Sequence, residues 1–186
     1  MIQIKLRPAA AADAPLIAAI HVTSWRDAYA AILSPDYLSG PIEMEHLDLW
    51  LRRMREPDPG QIVQVAENED GAVIGFVCAF CNVDSQWGSL IDNLHVVPNL
   101  RRHGVGARLL RSMPALLERQ GAVGGLHLWV FSANNAALRF YKRLGGKVVG
   151  QDVSEIPAAN GNPVLRIYWP TLRSIGAGDL LGPASF

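Results

Sequence analysis

Along the first part of the chain the spacing of apolar positions changes twice. Ile2, Ile4 and Leu6 alternate with polar neighbours, the period of a strand, and Pro8 ends the run. After Asp13 the interval lengthens to three to five residues through Leu16, Ile17, Ile20, Trp25, Tyr29 and Ile32, which predicts a helix with one buried face. A second helix is predicted over residues 43–55, where Leu47, Trp50, Leu51 and Met54 share a stripe that Pro57 and Pro59 close. The period then drops to two. Residues 61–67 and 72–81 flank Asn68-Glu69-Asp70-Gly71, whose Asp-Gly pair supports positive φ, and so predict an antiparallel hairpin. Residues 89–97 form a further strand stopped at Pro98. Helical spacing returns over 104–120 through Val105, Leu109, Met113, Leu116 and Leu117, with Gly121 as a stop and Pro114 as a predicted kink. A strand over 126–131, a helix over 134–144 stopped by Gly145, and two strands flanking Asn160-Gly161 complete the pattern. The order β-α-α-β-β-β-α-β-α-β-β predicts one α/β domain: a mixed sheet with helices on both faces and a right-handed crossover in its β-α-β unit.

Composition narrows the function. A chain of 186 residues, 49% hydrophobic and 18% charged, can bury a full core and is not a disordered segment. Its 17 basic residues cancel its 17 acidic ones, which argues against nucleic-acid binding through bulk positive charge. The longest apolar stretch, residues 72–80 with Gly75 inside it, is about half of what a membrane-spanning helix needs. Pro8, Asp13 and Pro15 interrupt what would be the apolar region of a signal peptide, so a cytoplasmic location is expected. Cys78 and Cys81 lie three apart on a predicted strand and point to opposite faces, which reads as two buried thiols rather than a disulfide or zinc site. The five histidines show no metal-ligand spacing, and no metal is expected.

The chemistry concentrates in IDNLHVVPNLRRHGVGARLL, residues 91–110, where a strand ends and a helix opens on Arg101-Arg102-His103-Gly104-Val105-Gly106. Glycines let backbone N–H groups approach a ligand, and the first turn of a helix offers unpaired donors and a positive dipole end, an arrangement that binds phosphate. Arg101, Arg102, Arg108 and Arg111 add four fixed positive charges suited to a polyanion. A lone G-x-G can also merely start a helix, and arginines on a helix are usually a solvated face. A dinucleotide fingerprint is disfavoured, because Leu109 stands where its third glycine belongs.

R-x-x-G-x-G following a strand that ends L-x-V-x-P (Leu94, Val96, Pro98) resembles the acyl-CoA-binding motif of the GNAT superfamily of N-acetyltransferases. Residues 134–145, NNAALRFYKRLG, resemble the later N-x-x-A-x-x-x-Y-x-x-x-G helix of the same superfamily. With the hairpin and first helix, the resemblance covers about residues 1–170 as one domain and leaves 171–186 as a C-terminal tail. It implies a mostly antiparallel sheet of about seven strands that splays between the fourth and fifth, with acetyl-CoA as acyl donor. The pantetheine arm would pair with the backbone of Leu94 and Val96. The pyrophosphate would rest beside Arg101 on the N–H groups of Arg102, His103, Gly104, Val105, Gly106 and Ala107. Tyr141 would be the general acid that protonates the departing thiolate. Asn134, two helical turns before it, either contacts the cofactor or caps the helix.

An alkylammonium of pKa near 10.4 must lose its proton before attack, which at pH 7 costs roughly 4–5 kcal/mol. Many relatives place a Glu twelve residues ahead of the tyrosine; here Trp129 stands there. Asp92 is the remaining candidate base, acting directly or through water, with a loop-holding carboxylate as the alternative. His95 and His127 are read as packed or surface histidines. Trp25, Tyr29 and Trp129 are the acceptor-side candidates, against a core-stripe reading of the first two. The expected activity is direct acetyl transfer to a primary amine, a small molecule in the first instance, without a covalent acetyl-enzyme. A protein N-terminus or lysine is the alternative acceptor, and a non-catalytic acyl-CoA-binding module the alternative of another class. No membrane or nucleic-acid partner is expected, and a homodimer is compatible with the sequence.

Overall fold

The computed structural model describes residues 3–176, so Ile2 and most of the tail lie outside the described residues. Its strands are β1 (Lys5–Pro8), β2 (Gln61–Glu67), β3 (Val73–Asp84), β4 (Gly88–Val96), β5 (Leu126–Phe131), β6 (Lys147–Val153) and β7 (Pro163–Trp169). They form one seven-stranded sheet in the order β1-β2-β3-β4-β5-β7-β6, with every pair antiparallel except β4 and β5.

Helices cover both faces because the strands alternate. On one side α1 (Ala14–Ala28) and α3 (Ile42–Arg55) bury Ile17, Ile20 and Trp50 against Val65, Phe76 and Cys78. On the other, α4 (Val105–Arg119) buries Leu109, Met113 and Leu117 against Val77, Ile91, Leu126 and Leu128, and α5 (Asn135–Arg143) packs beside it. Cys78 and Cys81 do face opposite sides, although Cys81 is only half-buried. The α4 helix runs on through Pro114, at the expense of one intrahelical hydrogen bond. The long helical pattern after Asp13 is split in the structure. Helix α1 ends at Ala28, and a short α2 (Pro35–Ser39) begins where Ser34 Oγ accepts the Tyr37 N–H at 3.2 Å.

The entry to α1 is fixed electrostatically. Arg7 on β1 donates to Asp13 at 2.6 and 2.9 Å, and Asp13 also accepts the Ala10 N–H at 2.7 Å. The Arg7 hydrogen bonds hold the Asp13 carboxyl below its usual value, so its contribution is fully present above the unfolded pKa near 3.9 and is lost as pH falls through the lower folded value. Denaturant melts should therefore show Asp13→Asn costing about 1–3 kcal/mol near neutrality, with the gap from wild type closing at strongly acid pH.

The sheet opens in its middle for a topological reason. Strand β4 follows its antiparallel partner β3, to which Val97 N–H stays bonded through Ile74 O at 3.0 Å, while β5 follows β7 over its whole length. The two parallel strands share only the register pairs Ser89↔Leu126 and Leu90↔His127. At that joined end the backbones touch, and a Cβ on Gly88 would lie 2.3 Å from Gly125 O. Beyond it the strands part.

Candidate active site

The gap between β4 and β5 is a cavity of about 440 Å³. Leu94, His95 and Val96 of β4 form one wall, and Trp129 and Val130 of β5 the other. Helix α4 points its start at the opening. Arg102 (φ 68°) and Gly104 (φ 83°) both adopt left-handed backbone, and His103 Nδ1 donates to Arg101 O at 2.9 Å to hold the turn. The Arg108 N–H bonds Gly104 O at 3.0 Å, so the amides of the preceding turn have no intrahelical acceptor and can bind an anion. Val105 contributes backbone alone, since its side chain is in the core at 1% exposure. Gly106 and Ala107 lie on the cavity wall.

Four arginines reach this cavity, but not the expected four. Arg101, Arg102 and Arg111 line it, Arg108 is exposed and off the wall, and Arg143 joins from the last turn of α5. Arg101 has a second duty. It pairs with Asp27 and reaches Ser24 Oγ at 3.3 Å, tying the loop to α1.

Helix α5 brings Asn134 and Tyr141 to the same cavity. Asn134 Oδ1 accepts the Ala137 N–H at 3.1 Å, so it caps the helix, and its amide NH₂ is the group it can still offer a ligand. The Tyr141 ring packs edge-on to Phe140 at 5.1 Å and Trp169 at 6.1 Å. Burial, with a smaller push from Tyr29, raises its phenol above the ordinary value, so it keeps its proton at neutral pH and can donate it. Tyr29 also lines the cavity, and burial pushes its phenol up to about 12.

Besides His103 and Val105, which do not line the cavity, Asp92 and Trp25 are not brought to it. Asp92 is the unpaired residue of a β-bulge, because Cys78 pairs with Asn93 and Ala79 with Ile91. The bulge turns it toward α3, where Arg53 Nη1 donates to its carboxylate at 2.6 Å. That guanidinium lies over the rings of Trp50 and Phe80 at 5.4 and 5.3 Å. Asp92 therefore anchors α3 and does not face the cavity. Trp25 packs edge-on to His21, Tyr29 and His46 and is also off the wall. His127 is buried away from the cavity, and His95 is packed against His21 and Phe76 as expected but also lines the cavity wall. Replacing Asp92 by Asn should change the melting behaviour through the Arg53 pair by about 1 kcal/mol or less and leave the pH dependence of turnover in place.

A sequence profile of the acetyltransferase (GNAT) family matches residues 23–146. The chain belongs to this family. It is 29% identical over 175 residues to YuaI, an uncharacterized N-acetyltransferase of Bacillus subtilis, covering 92% of this chain and 96% of that protein. The PaiA N-acetyltransferase of Thermoplasma acidophilum, solved in complex with coenzyme A, superposes with a TM-score of 0.69 at 20% identity over 90% of this chain and 99% of that one. A nourseothricin acetyltransferase is 30% identical with a TM-score of 0.54, over 61% of this chain and 68% of that one. The GNAT chain is accordingly an acetyl-CoA-dependent N-acetyltransferase with the mixed, mostly antiparallel seven-stranded sheet of its family. Among the described residues no helix is long and apolar enough to cross a membrane, and no group of three or more His, Cys, Asp or Glu could hold a metal ion.

Proposed function

We propose that the protein acetylates a primary amine of a small molecule in a ternary complex with acetyl-CoA, with Tyr141 as general acid. The observation that carries this reading is a shared space. One cavity of about 440 Å³ joins the free amides of the α4 start to the Tyr141 phenol and to the aromatic faces of Tyr29 and Trp129. A pyrophosphate on residues 102–107, with Arg102 and Arg143 beside it, directs the pantetheine arm along Leu94 and Val96 toward Tyr141. The thioester then faces the acceptor side. When the C–N bond forms and the C–S bond breaks, negative charge appears on sulfur, and the phenol proton neutralises it. Tyr29 and Trp129 supply apolar faces for the acceptor, and the volume suits a small molecule beside the end of the arm. The small-molecule reading is supported by the partial likeness to nourseothricin acetyltransferase.

Thiol release from acetyl-CoA, followed with a panel of small amines and of peptides bearing free N-termini or lysines, tests the proposal. Turnover is expected with a member of the amine set and at a higher kcat/KM than with any peptide. Preference for peptides would replace the small-molecule assignment, and binding of acetyl-CoA without turnover of either set would make this a binding module.

A further inference from the structure

Three histidines far apart in sequence converge behind the β4 wall. The His95 ring lies 4.5 Å from the His21 ring of α1 at an interplanar angle of 34°, and the His21 ring lies 4.0 Å from the His46 ring of α3. Phe76, Trp25 and Trp50 enclose the group. His21 Nδ1 accepts the Trp50 indole N–H at 3.1 Å, so its own proton is on Nε2. His46 Nδ1 donates to Ile42 O at 2.9 Å, so its Nε2 carries a lone pair. Both Nε2 atoms are buried and have no hydrogen-bond partner among the described residues. A row this polar inside an aromatic shell is costly to bury, and it ends on the cavity at His95.

We propose that His95 is the proton acceptor of the acetyl transfer, a role that rests on reading the cavity as the acetyl-transfer site. Its Nδ1 lies 2.9 Å from Ser24 Oγ, which Arg101 also approaches at 3.3 Å; in the proposed role Nδ1–H donates to that oxygen and the His95 Nε2 lone pair takes the proton. The groups facing it are known from each packed element. They are His21 and Ser24 on α1, with Asp27 engaged by Arg101, and His46 on α3, with Glu45 next to it and Arg53 engaged by Asp92. Burial first, then His46 and Arg101, lower the His95 value to about 3, so the imidazole is neutral throughout the working range.

A base so weak does not deprotonate an alkylammonium in solution, and it is not asked to. No carboxylate of the described residues lines the cavity to hold a cation, so the acceptor enters as free amine. Its nitrogen becomes strongly acidic only once its lone pair is committed to the acetyl carbon. In that step the C–N bond forms, the C–S bond breaks, the nitrogen proton passes to His95 Nε2, and the Tyr141 phenol proton passes to the thiolate sulfur. Water then returns the imidazolium proton to the phenolate. Amine and acetyl-CoA have become amide and coenzyme A, and both side chains are restored.

Thiol release and calorimetric acetyl-CoA binding with wild type, His95→Gln and His95→Ala decide the matter. Wild-type turnover is the prerequisite, and its absence would count against the proposed function before any variant is compared. With turnover present, His95→Gln should lower kcat by about 100-fold or more while acetyl-CoA affinity stays within about twofold. Added imidazole should restore part of the His95→Ala rate, in proportion to its free-base fraction as pH is varied. A His95→Gln variant that melts like wild type and keeps its kcat, or that loses only KM, overturns the role. Failure of imidazole to raise the rate of a folded His95→Ala protein does so too.

Discussion

Tyr141→Phe is expected to lower kcat by about ten- to a thousandfold while leaving acetyl-CoA affinity close to wild type. The phenol is needed only as charge develops on the leaving sulfur, so its removal takes away an interaction absent from the ground state. The ring remains. Its edge contacts with Phe140 and Trp169 are made by carbon atoms, so the variant should fold and melt like the parent. Because burial raises the phenol above its ordinary value, wild-type turnover should keep its acid form to high pH, with no alkaline loss near 10. Single-turnover rates with a saturating amine would isolate the chemical step. A variant that retained wild-type kcat would leave Tyr141 with a packing role only.

The motifs were readable because they are local. Strands β2 and β5 begin and end where their period-two runs do, and the helix after Gly104 starts where a left-handed residue is needed. Asp92 shows where such reading stops. A bulge inserts one residue into a strand without altering its composition, yet it turns the carboxylate from the cavity to Arg53 of α3. Arg143 was missed because a cation in the last turn of a helix is ordinary in sequence. The histidine row was invisible for a stronger reason. His21, His46 and His95 have no common spacing, and only the packing of α1 and α3 on one face of β4 brings them together. Trp129 remains the departure from the family motif. The position that holds a Glu in many relatives here presents an indole to the cavity and stacks on Arg166 at 4.5 Å, and an indole offers no acceptor for the amine proton.

Gly104 and Gly106 should respond to alanine in opposite senses. At Gly104 a Cβ would meet nothing within 4 Å, but φ is +83°, so Gly104→Ala strains the backbone and should cost about 1–2 kcal/mol of stability. At Gly106 the backbone is helical and a Cβ would lie 3.5 Å from Phe140 and 3.7 Å from Val96, ordinary contacts that the fold accepts. Gly106→Ala should therefore stabilise the free protein by up to about 1 kcal/mol, because it removes a flexible residue from a helix. The added methyl nevertheless stands on the cavity wall where the pyrophosphate would meet the α4 amides, and acetyl-CoA should bind about tenfold more weakly. Gly106→Glu carries the effect to its limit. Its carboxylate would compete for the same amides and repel the phosphates, and loss of about 3 kcal/mol of charge-assisted hydrogen bonding corresponds to a Kd raised about 100-fold or more. Thermal melts paired with calorimetric titration separate the two terms. A Gly106→Glu protein that melts cooperatively and binds acetyl-CoA with wild-type affinity would move the phosphate seat away from this turn.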